Sequence, residues 1–126
     1  MTYQEIITEY RKLFVMLVEK AGRETGNTSY QKVDEIMKKM GADKMEERFI
    51  QDEPDFIIVI CSYIVFLFCD IYGIKKVEEW DRELSAKKLS EFYKTFLKGP
   101  TIRFCEKYGL ESFEDPETSF KLVALK

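Results

Sequence analysis

The chain has 126 residues, of which 45% are hydrophobic, 34% charged and 14% aromatic, and its formal net charge is −3. This length and apolar content fit one globular domain with its own core and argue against wholesale disorder. The acidic balance argues against nucleic-acid binding, and the lack of histidine removes the commonest general base and nitrogen metal ligand.

The first predicted helix begins with a capping box formed by Thr2 and Glu5. We expect Gly22 to end it. Between these points the apolar residues recur at helical spacing and form one face, which is typical of an amphipathic helix packed on its neighbours. The residues of this face are Ile6, Tyr10, Leu13, Phe14, Leu17, Val18 and Ala21.

Two shorter helices are predicted before the middle of the chain. The first of them begins at Thr28 or Ser29, where Gln31 could complete a capping box, and Gly41 stops it. The next spans about residues 43–50 and carries apolar side chains on one face. This half of the chain therefore reads as a succession of amphipathic helices.

The segment from Phe56 to Cys69 is almost entirely apolar. It is short for a membrane span, which needs about 20 residues, and the acids Asp55 and Asp70 flank it closely. Its many β-branched residues would suit a strand, but it has no turn signal and no neighbouring segment reads as a pairing partner. We therefore interpret residues 55–72 as a buried central helix.

Local signals support this interpretation at both ends of the central helix. Asp52 or Asp55 can cap its first turn, where Pro54 is also well suited. Gly73 supplies a left-handed residue after the last turn. Within the helix, we expect the Ser62 hydroxyl to bond to a backbone carbonyl one turn earlier.

Two helices are predicted to follow the central helix. A short one covers about residues 77–84, with Val77, Trp80 and Leu84 spaced for one face. The next begins at Ser85 as N-cap, across which Leu84 and Leu89 form a hydrophobic staple. Gly99-Pro100 is expected to terminate that helix.

The last part of the chain is predicted to contain two further short helices. One runs from Thr101 to Tyr108 and ends at Gly109. The other begins at Asp115-Pro116, with proline in its first position, and continues through the tail Phe120–Leu125. Altogether the sequence predicts an all-α, single-domain bundle of six to seven helices over residues 1–126, arranged around the buried central helix at about residues 55–72.

The three cysteines indicate core thiols. Cys61 and Cys69 are separated by about 12 Å of helix rise, which a disulfide cannot span, and both lie in the apolar segment. Cys105 stands between Arg103 and Lys107, but its helical phase favours burial. With no disulfide framework, zinc-binding spacing or secretory signal, we expect a reducing cytoplasm.

No motif predicts a catalytic, cofactor or metal site. The acids at residues 78–83 miss the EExxE spacing with which some all-α phosphohydrolases bind magnesium, because the third acid arrives one residue late. They are more simply a solvated helix face. Phosphate-binding loops and EF-hand spacing are also lacking. The chain is therefore not expected to be an enzyme, and a carboxylate-dependent metalloenzyme is the least favoured reading.

We expect a non-catalytic protein–protein interaction or assembly protein, of the kind common among bacterial and phage accessory proteins. Its partner would be another protein or a second copy of the chain, with no nucleic acid and no membrane span. The alternative is a binder of an apolar ligand or amphipathic helix beside the central helix. The candidate interaction surface consists of four apolar residues in the C-terminal part: Phe113, Phe120, Leu122 and Leu125.

Overall fold

The computed structural model describes residues 1–74 and 82–124, and for residues 82–84 and 123–124 it describes the helical backbone alone. Every regular element in these ranges is helical, which confirms the predicted all-α class. The chain divides into two compact units, which we call unit 1 (Met1–Pro54) and unit 2 (Asp55–Lys126). The helices are α1 (Tyr3–Thr25), α2 (Thr28–Gln31), α3 (Val33–Lys39), α4 (Ala42–Asp52), α5 (Phe56–Ile71), α6 (Arg82–Phe92), a π-helical segment (Tyr93–Leu97), α7 (Lys98–Tyr108) and α8 (Pro116–Ala124).

In unit 1, α1 packs against α2, α3 and α4. The capping box predicted at its start is present: the Glu5 N–H donates to the Thr2 hydroxyl at 3.2 Å, and the Thr2 N–H donates to the Glu5 carboxylate at 3.4 Å. The Tyr3 hydroxyl donates to the Pro54 carbonyl at 2.7 Å, which joins the two ends of unit 1. The buried face of α1 comprises Ile6, Ile7, Tyr10, Phe14, Leu17, Val18, Ala21 and Gly22.

The expectation that Gly22 ends α1 is wrong. The helix continues to Thr25, and Gly26 is the left-handed residue that closes it, with φ of 74°. Gly22 serves close packing instead, because a Cβ there would lie 2.9 Å from both the Asn27 carbonyl oxygen and Cγ of Gln31. The glycine therefore permits α2 to lie against α1.

The second predicted helix begins as expected at Thr28 but is split in two. Its N-cap is Asn27, whose side-chain oxygen accepts from the N–H groups of Ser29 at 3.0 Å and Tyr30 at 3.4 Å, rather than the predicted capping box. Lys32 leaves helical geometry, with φ of −100° and ψ of 17°, and separates α2 from α3. After the break α3 buries Val33, Ile36 and Met37, whereas α2 has no buried residue.

In unit 2, α5 is the predicted central helix. Asp55 is its N-cap and accepts the Ile57 N–H at 3.3 Å, so Pro54 precedes the cap instead of entering the first turn. The Ser62 hydroxyl donates to the Ile58 carbonyl at 2.7 Å, as predicted. The buried residues of α5 are Phe56, Val59, Ile60, Cys61, Tyr63, Ile64, Leu67, Phe68 and Cys69.

The end of α5 is a Schellman motif. Gly73 is left-handed, with φ of 66°, and its N–H donates to the Asp70 carbonyl at 3.1 Å. The next N–H, of Ile74, donates to the Cys69 carbonyl at 2.8 Å. These bonds satisfy carbonyls that the helix end would otherwise leave unpaired, which confirms the predicted role of Gly73. Across the described ranges, no helix combines the length and apolar character needed to cross a membrane.

The helix break predicted at Gly99-Pro100 is wrong, because α6, the π-helical segment and α7 follow one another without interruption. In the π-helical turn the Lys98 N–H donates to the Tyr93 carbonyl, five residues back. Pro100 follows this wider turn closely and has no N–H to donate, so the change in hydrogen-bond pattern lies next to the proline. Gly99, which has no Cβ, relaxes the restriction that a proline imposes on the preceding residue.

Ser85 is also not a helix N-cap, since it lies inside α6. That helix packs against α8 and buries Ala86, Leu89 and Ser90, and this packing outweighs the local capping preference of a serine. The predicted helix at 77–84 lies largely outside the described residues, as does the Leu84 side chain of the predicted staple.

The helix α8 begins as predicted. Pro116 is its first residue, and the Asp115 side chain accepts the N–H of Glu117 at 3.1 Å. The helix continues through Phe120 to Ala124, so the tail is helical rather than extended. α8 packs against α5 and α6 and so contributes to the core of unit 2.

Candidate functional site

An open groove lies in unit 2 beside the first turn of α5, with a volume of about 740 Å³. Its walls come from the connection between α7 and α8 and from the first turn of α8. We call it the acidic groove; its lining residues are Ile57, Leu110, Glu111, Ser112, Glu114, Asp115, Thr118 and Ser119. Its volume lies within the range of ligand-binding clefts.

The first wall of the acidic groove is fixed by the end of α7. Gly109 adopts a left-handed conformation, with φ of 67°. The Leu110 N–H then donates to the Cys105 carbonyl at 2.8 Å. This Schellman-type closure sets the direction in which the chain leaves α7 and places Leu110 in the groove.

Phe113 anchors the middle of the same connection. Its ring is half-buried and meets the Tyr93 ring edge-on, with 4.6 Å between the centroids. On the other side it stacks on Phe120 at 6.1 Å. Aromatic contacts of this kind stabilise a packed ring beyond the effect of its buried area. They therefore fix the backbone at Phe113, from which the neighbouring acids Glu111 and Glu114 project.

Asp115 closes the connection and begins α8. Its carboxylate accepts the Thr118 hydroxyl at 2.7 Å and the N–H groups of Glu117 and Thr118 at 3.1 and 3.4 Å. The Thr118 hydroxyl bond is the main cause that holds the pKa of Asp115 below its usual range, and the charge of Lys94 acts in the same direction. Asp115 is therefore ionised at neutral pH.

The charges on the groove are predominantly negative. Glu111 and Glu114 are exposed, and neither forms a hydrogen bond or ion pair with any side chain that the structure describes. Lys94 is the cation whose field reaches Asp115. Carboxylates that lack a partner among the described residues remain able to bind a positively charged group from another molecule.

The four residues predicted as an interaction surface are placed very differently. Phe120 is buried, with 1% of its surface exposed, and Phe113 packs on it. Leu122 is 58% exposed. Leu125 lies outside the described residues. The structure thus uses the two phenylalanines to hold the connection before α8, while the acids around Phe113, which the sequence already displays, line the groove.

The thiols of unit 2 are buried, as predicted. Burial raises the pKa of Cys61 to about 12, with a smaller contribution from the charge of Asp55. Burial likewise raises the pKa of Cys105 to about 11, with a contribution from Glu106. Both thiols are therefore protonated at neutral pH, and a protonated thiol is a weak nucleophile and a weak metal ligand.

Two hydroxyls lie near this part of the interior. Ser90 on α6 and Tyr93 on the π-helical segment bury their hydroxyl oxygens without a hydrogen-bond partner among the described residues. Burial raises the pKa of Tyr93 far above its ordinary value, and the Cys105 and Cys61 thiols act in the same direction. The interior behind Phe113 is thus closed to solvent and holds neutral side chains.

Unit 1 offers a smaller pocket, of about 330 Å³, beside α1. Arg11 is one of four charged residues that line it, and it lies 2.7 Å from the Asp43 carboxylate and 3.0 Å from that of Glu46. The charge of this arginine is therefore satisfied within unit 1. Over the described ranges, no group of three or more cysteine or acidic side chains is arranged to hold a metal ion.

Comparison with known protein families, with curated proteins and with solved structures finds no match for this chain. The acidic groove is therefore the feature of the chain from which we propose a function.

Proposed function

We propose that this chain is a non-catalytic protein–protein interaction domain that binds its partner at the acidic groove. The observation that carries the proposal is that the groove is preformed. Its walls are fixed by the Leu110 hydrogen bond, by the stacking of Phe113 and by the Asp115 cap. A wall that is already ordered lowers the entropic cost of binding.

The lining suits a protein segment better than an apolar small molecule. Ile57 and Leu110 are half-buried and present apolar surface, and carboxylates and hydroxyls line the same groove. Protein interfaces also combine apolar surface with polar groups. Pockets for small apolar ligands instead enclose most of the ligand surface, whereas this groove is largely open to solvent.

The chemistry at the groove also supports a non-catalytic role. Asp115 and the Thr118 hydroxyl form a hydrogen-bonded pair, which in another setting would suggest a base and a nucleophile. The lowered pKa of Asp115 makes it a weak general base at neutral pH, because efficient bases have pKa values near the working pH. The pair acts as a helix cap, and all three cysteines are buried.

Site-specific photocrosslinking in the native host tests the proposal. A benzoylphenylalanine replaces Ser112, which is exposed in the groove, and in a matched control it replaces Glu91, which is exposed elsewhere in unit 2. We expect a discrete protein adduct at position 112 that is missing at position 91. An adduct of twice the chain's mass would identify the partner as a second copy.

Equal adducts at both positions, or none at position 112, would overturn the proposal. Thermal unfolding of each variant checks that the fold is retained. Both positions are exposed, so we expect each variant to unfold close to the temperature of the unmodified chain.

A further inference from the structure

We infer that the partner segment bound in the acidic groove is basic and also carries an apolar side chain close to its positive charges. This inference rests on the proposed function and adds the chemistry of the partner. It follows from three features of the groove: the acids that have no ion pair among the described side chains, the apolar surface that lines the groove with them, and the ring contacts that hold the chain between α7 and α8.

The acids are clustered on one short connection. Glu111, Glu114 and Asp115 lie within five consecutive residues, and all three line the groove. The first two form no ion pair with the described side chains, and the third is ionised because Thr118 and backbone N–H groups hold its carboxylate. The field of Lys94 offsets part of this charge, but the groove remains net negative.

This charge selects among partner classes. Lysine and arginine side chains gain from the carboxylates both in affinity and in the rate of encounter. Acidic segments and nucleic-acid phosphates are repelled by the same charges. Among macromolecules, a basic protein segment is therefore the complementary occupant.

The apolar surface adds a second requirement. Ile57 lies on the first turn of α5 and Leu110 at the end of α7, and both line the groove together with the acids. Each is half-buried, so part of its surface is available for contact. An apolar side chain close to the partner's positive charges would cover this surface while the charges reach Glu111 and Glu114.

The chain between α7 and α8 is held in place, so the groove favours partners whose positive charges have the matching spacing. Phe113, between the two glutamates, is held by Tyr93 and Phe120 at ring distances of 4.6 and 6.1 Å. The carboxylates therefore project from a fixed backbone rather than from a mobile loop. A partner whose charges match this arrangement gains more than one with the same composition in scrambled order.

The first experiment continues from the photocrosslink at position 112. The crosslinked partner peptide is identified by mass spectrometry, and we expect it to contain lysine or arginine together with an apolar residue. A groove-specific adduct whose partner segment is acidic or uncharged would overturn this inference and leave the proposed function standing. Absence of any groove-specific adduct would overturn both.

The second experiment measures binding directly on the full chain. The probe is a short fluorescein-labelled peptide in which lysines flank a leucine, and fluorescence anisotropy reports binding. Two control peptides replace the lysines by glutamates or the leucine by serine. We expect the lysine–leucine peptide to bind, the glutamate peptide not to bind, and the serine peptide to bind several-fold more weakly.

Matched variants locate the binding. Glu111→Gln with Glu114→Gln should weaken the lysine–leucine peptide by about tenfold, since two charge contacts are lost. Glu91→Gln with Glu106→Gln removes the same charge from exposed positions that do not line the groove and should change binding less than twofold. Equal losses in the two pairs of variants would show non-specific attraction to an acidic chain and would overturn the inference.

Discussion

The helix α1 of unit 1 and the helix α5 of unit 2 are both long, but they bury different kinds of surface. α1 has an apolar face and a charged face. Arg11 lies at the boundary between the two faces and pairs with Asp43 and Glu46 of α4. α5 carries almost no charge, and its contacts in unit 2 include aromatic rings, with Phe56 against Phe104 at 5.8 Å and Phe68 against Phe92 at 5.1 Å.

The difference shows how each unit specifies its packing. In unit 1 an ion pair between helices supplements the apolar face, so charge as well as shape fixes which helices meet. In unit 2 apolar and aromatic surfaces meet, and the directional contacts between rings determine which helices pack together. Substitutions that remove a ring should therefore matter most in unit 2, and substitutions that remove a charge should matter most in unit 1.

The largest expected effect is that of Phe120→Ala. Phe120 is 1% exposed and stacks on Phe113, so its loss leaves a cavity in unit 2 and should lower the free energy of unfolding by about 3 kcal/mol. Urea denaturation of the full chain measures this change. Leu122→Ala on the same helix is the control, because Leu122 is 58% exposed and should cost less than about 0.5 kcal/mol.

A loss for Phe120→Ala no larger than that for Leu122→Ala would contradict the aromatic core described for unit 2. The same substitution also tests the groove, because Phe113 loses its stacking partner. Binding of the lysine–leucine peptide should therefore weaken in Phe120→Ala and remain unchanged in Leu122→Ala.

The second effect belongs to unit 1. Arg11→Ala removes the contacts to Asp43 and Glu46 and leaves the Glu46 carboxylate, which is 16% exposed, without that arginine. We expect a loss of about 2 kcal/mol in the free energy of unfolding. Lys12→Ala is the matched control, since its pair with Glu9 is exposed and should contribute less than about 0.5 kcal/mol.

If both alanine variants of α1 lose the same stability, the ion pair between helices contributes nothing beyond a surface charge. Charge would then not help to specify the packing of α1 on α4 in unit 1.

The smallest effect per residue is a dependence on alkaline pH that comes from unit 2, where all three cysteines lie. Burial raises the pKa of Cys61 from an ordinary 9.0 to about 12, and that of Cys105 to about 11. Below pH 9 the folded and unfolded states both keep these protons. As the pH rises above 9, the unfolded state loses its protons first, so the free energy of unfolding falls.

Between pH 8 and pH 10 we expect each of these two thiols to lower the free energy of unfolding by about 1 kcal/mol. Urea denaturation at the two pH values measures the fall, and Cys61→Ala should reduce it. A fall of the same size in Cys61→Ala and in the unmodified chain would show that other groups cause the alkaline sensitivity.

Local signals in the sequence determined much of the fold. Thr2 and Glu5, Asp55, Gly73, Gly109 and Asp115-Pro116 all mark helix ends, because each satisfies backbone groups within a few residues of itself. The bond of Ser62 to a carbonyl one turn earlier is local in the same sense. The apolar run likewise predicted α5, since its length and its flanking acids are properties of the segment alone.

Tertiary packing decided the points at which local signals failed. Gly22 looks like a helix end, but it is the contact at which α2 approaches α1. Ser85 and Gly99-Pro100 look like breaks, but the burial of α6 against α8 and the wider π-helical turn carry the helix past them. These outcomes depend on residues distant in sequence, which a local pattern does not contain.

The candidate site divides in the same way. The sequence alone determined that acids surround Phe113 and that the thiols belong in the interior. Only the tertiary structure decided that Phe113 and Phe120 turn inward and stack, so that the acids, and not the rings, line an open groove. The physical reason is that a ring gains most free energy by burial while a carboxylate gains most from water or a cation, and the fold determines which side faces out.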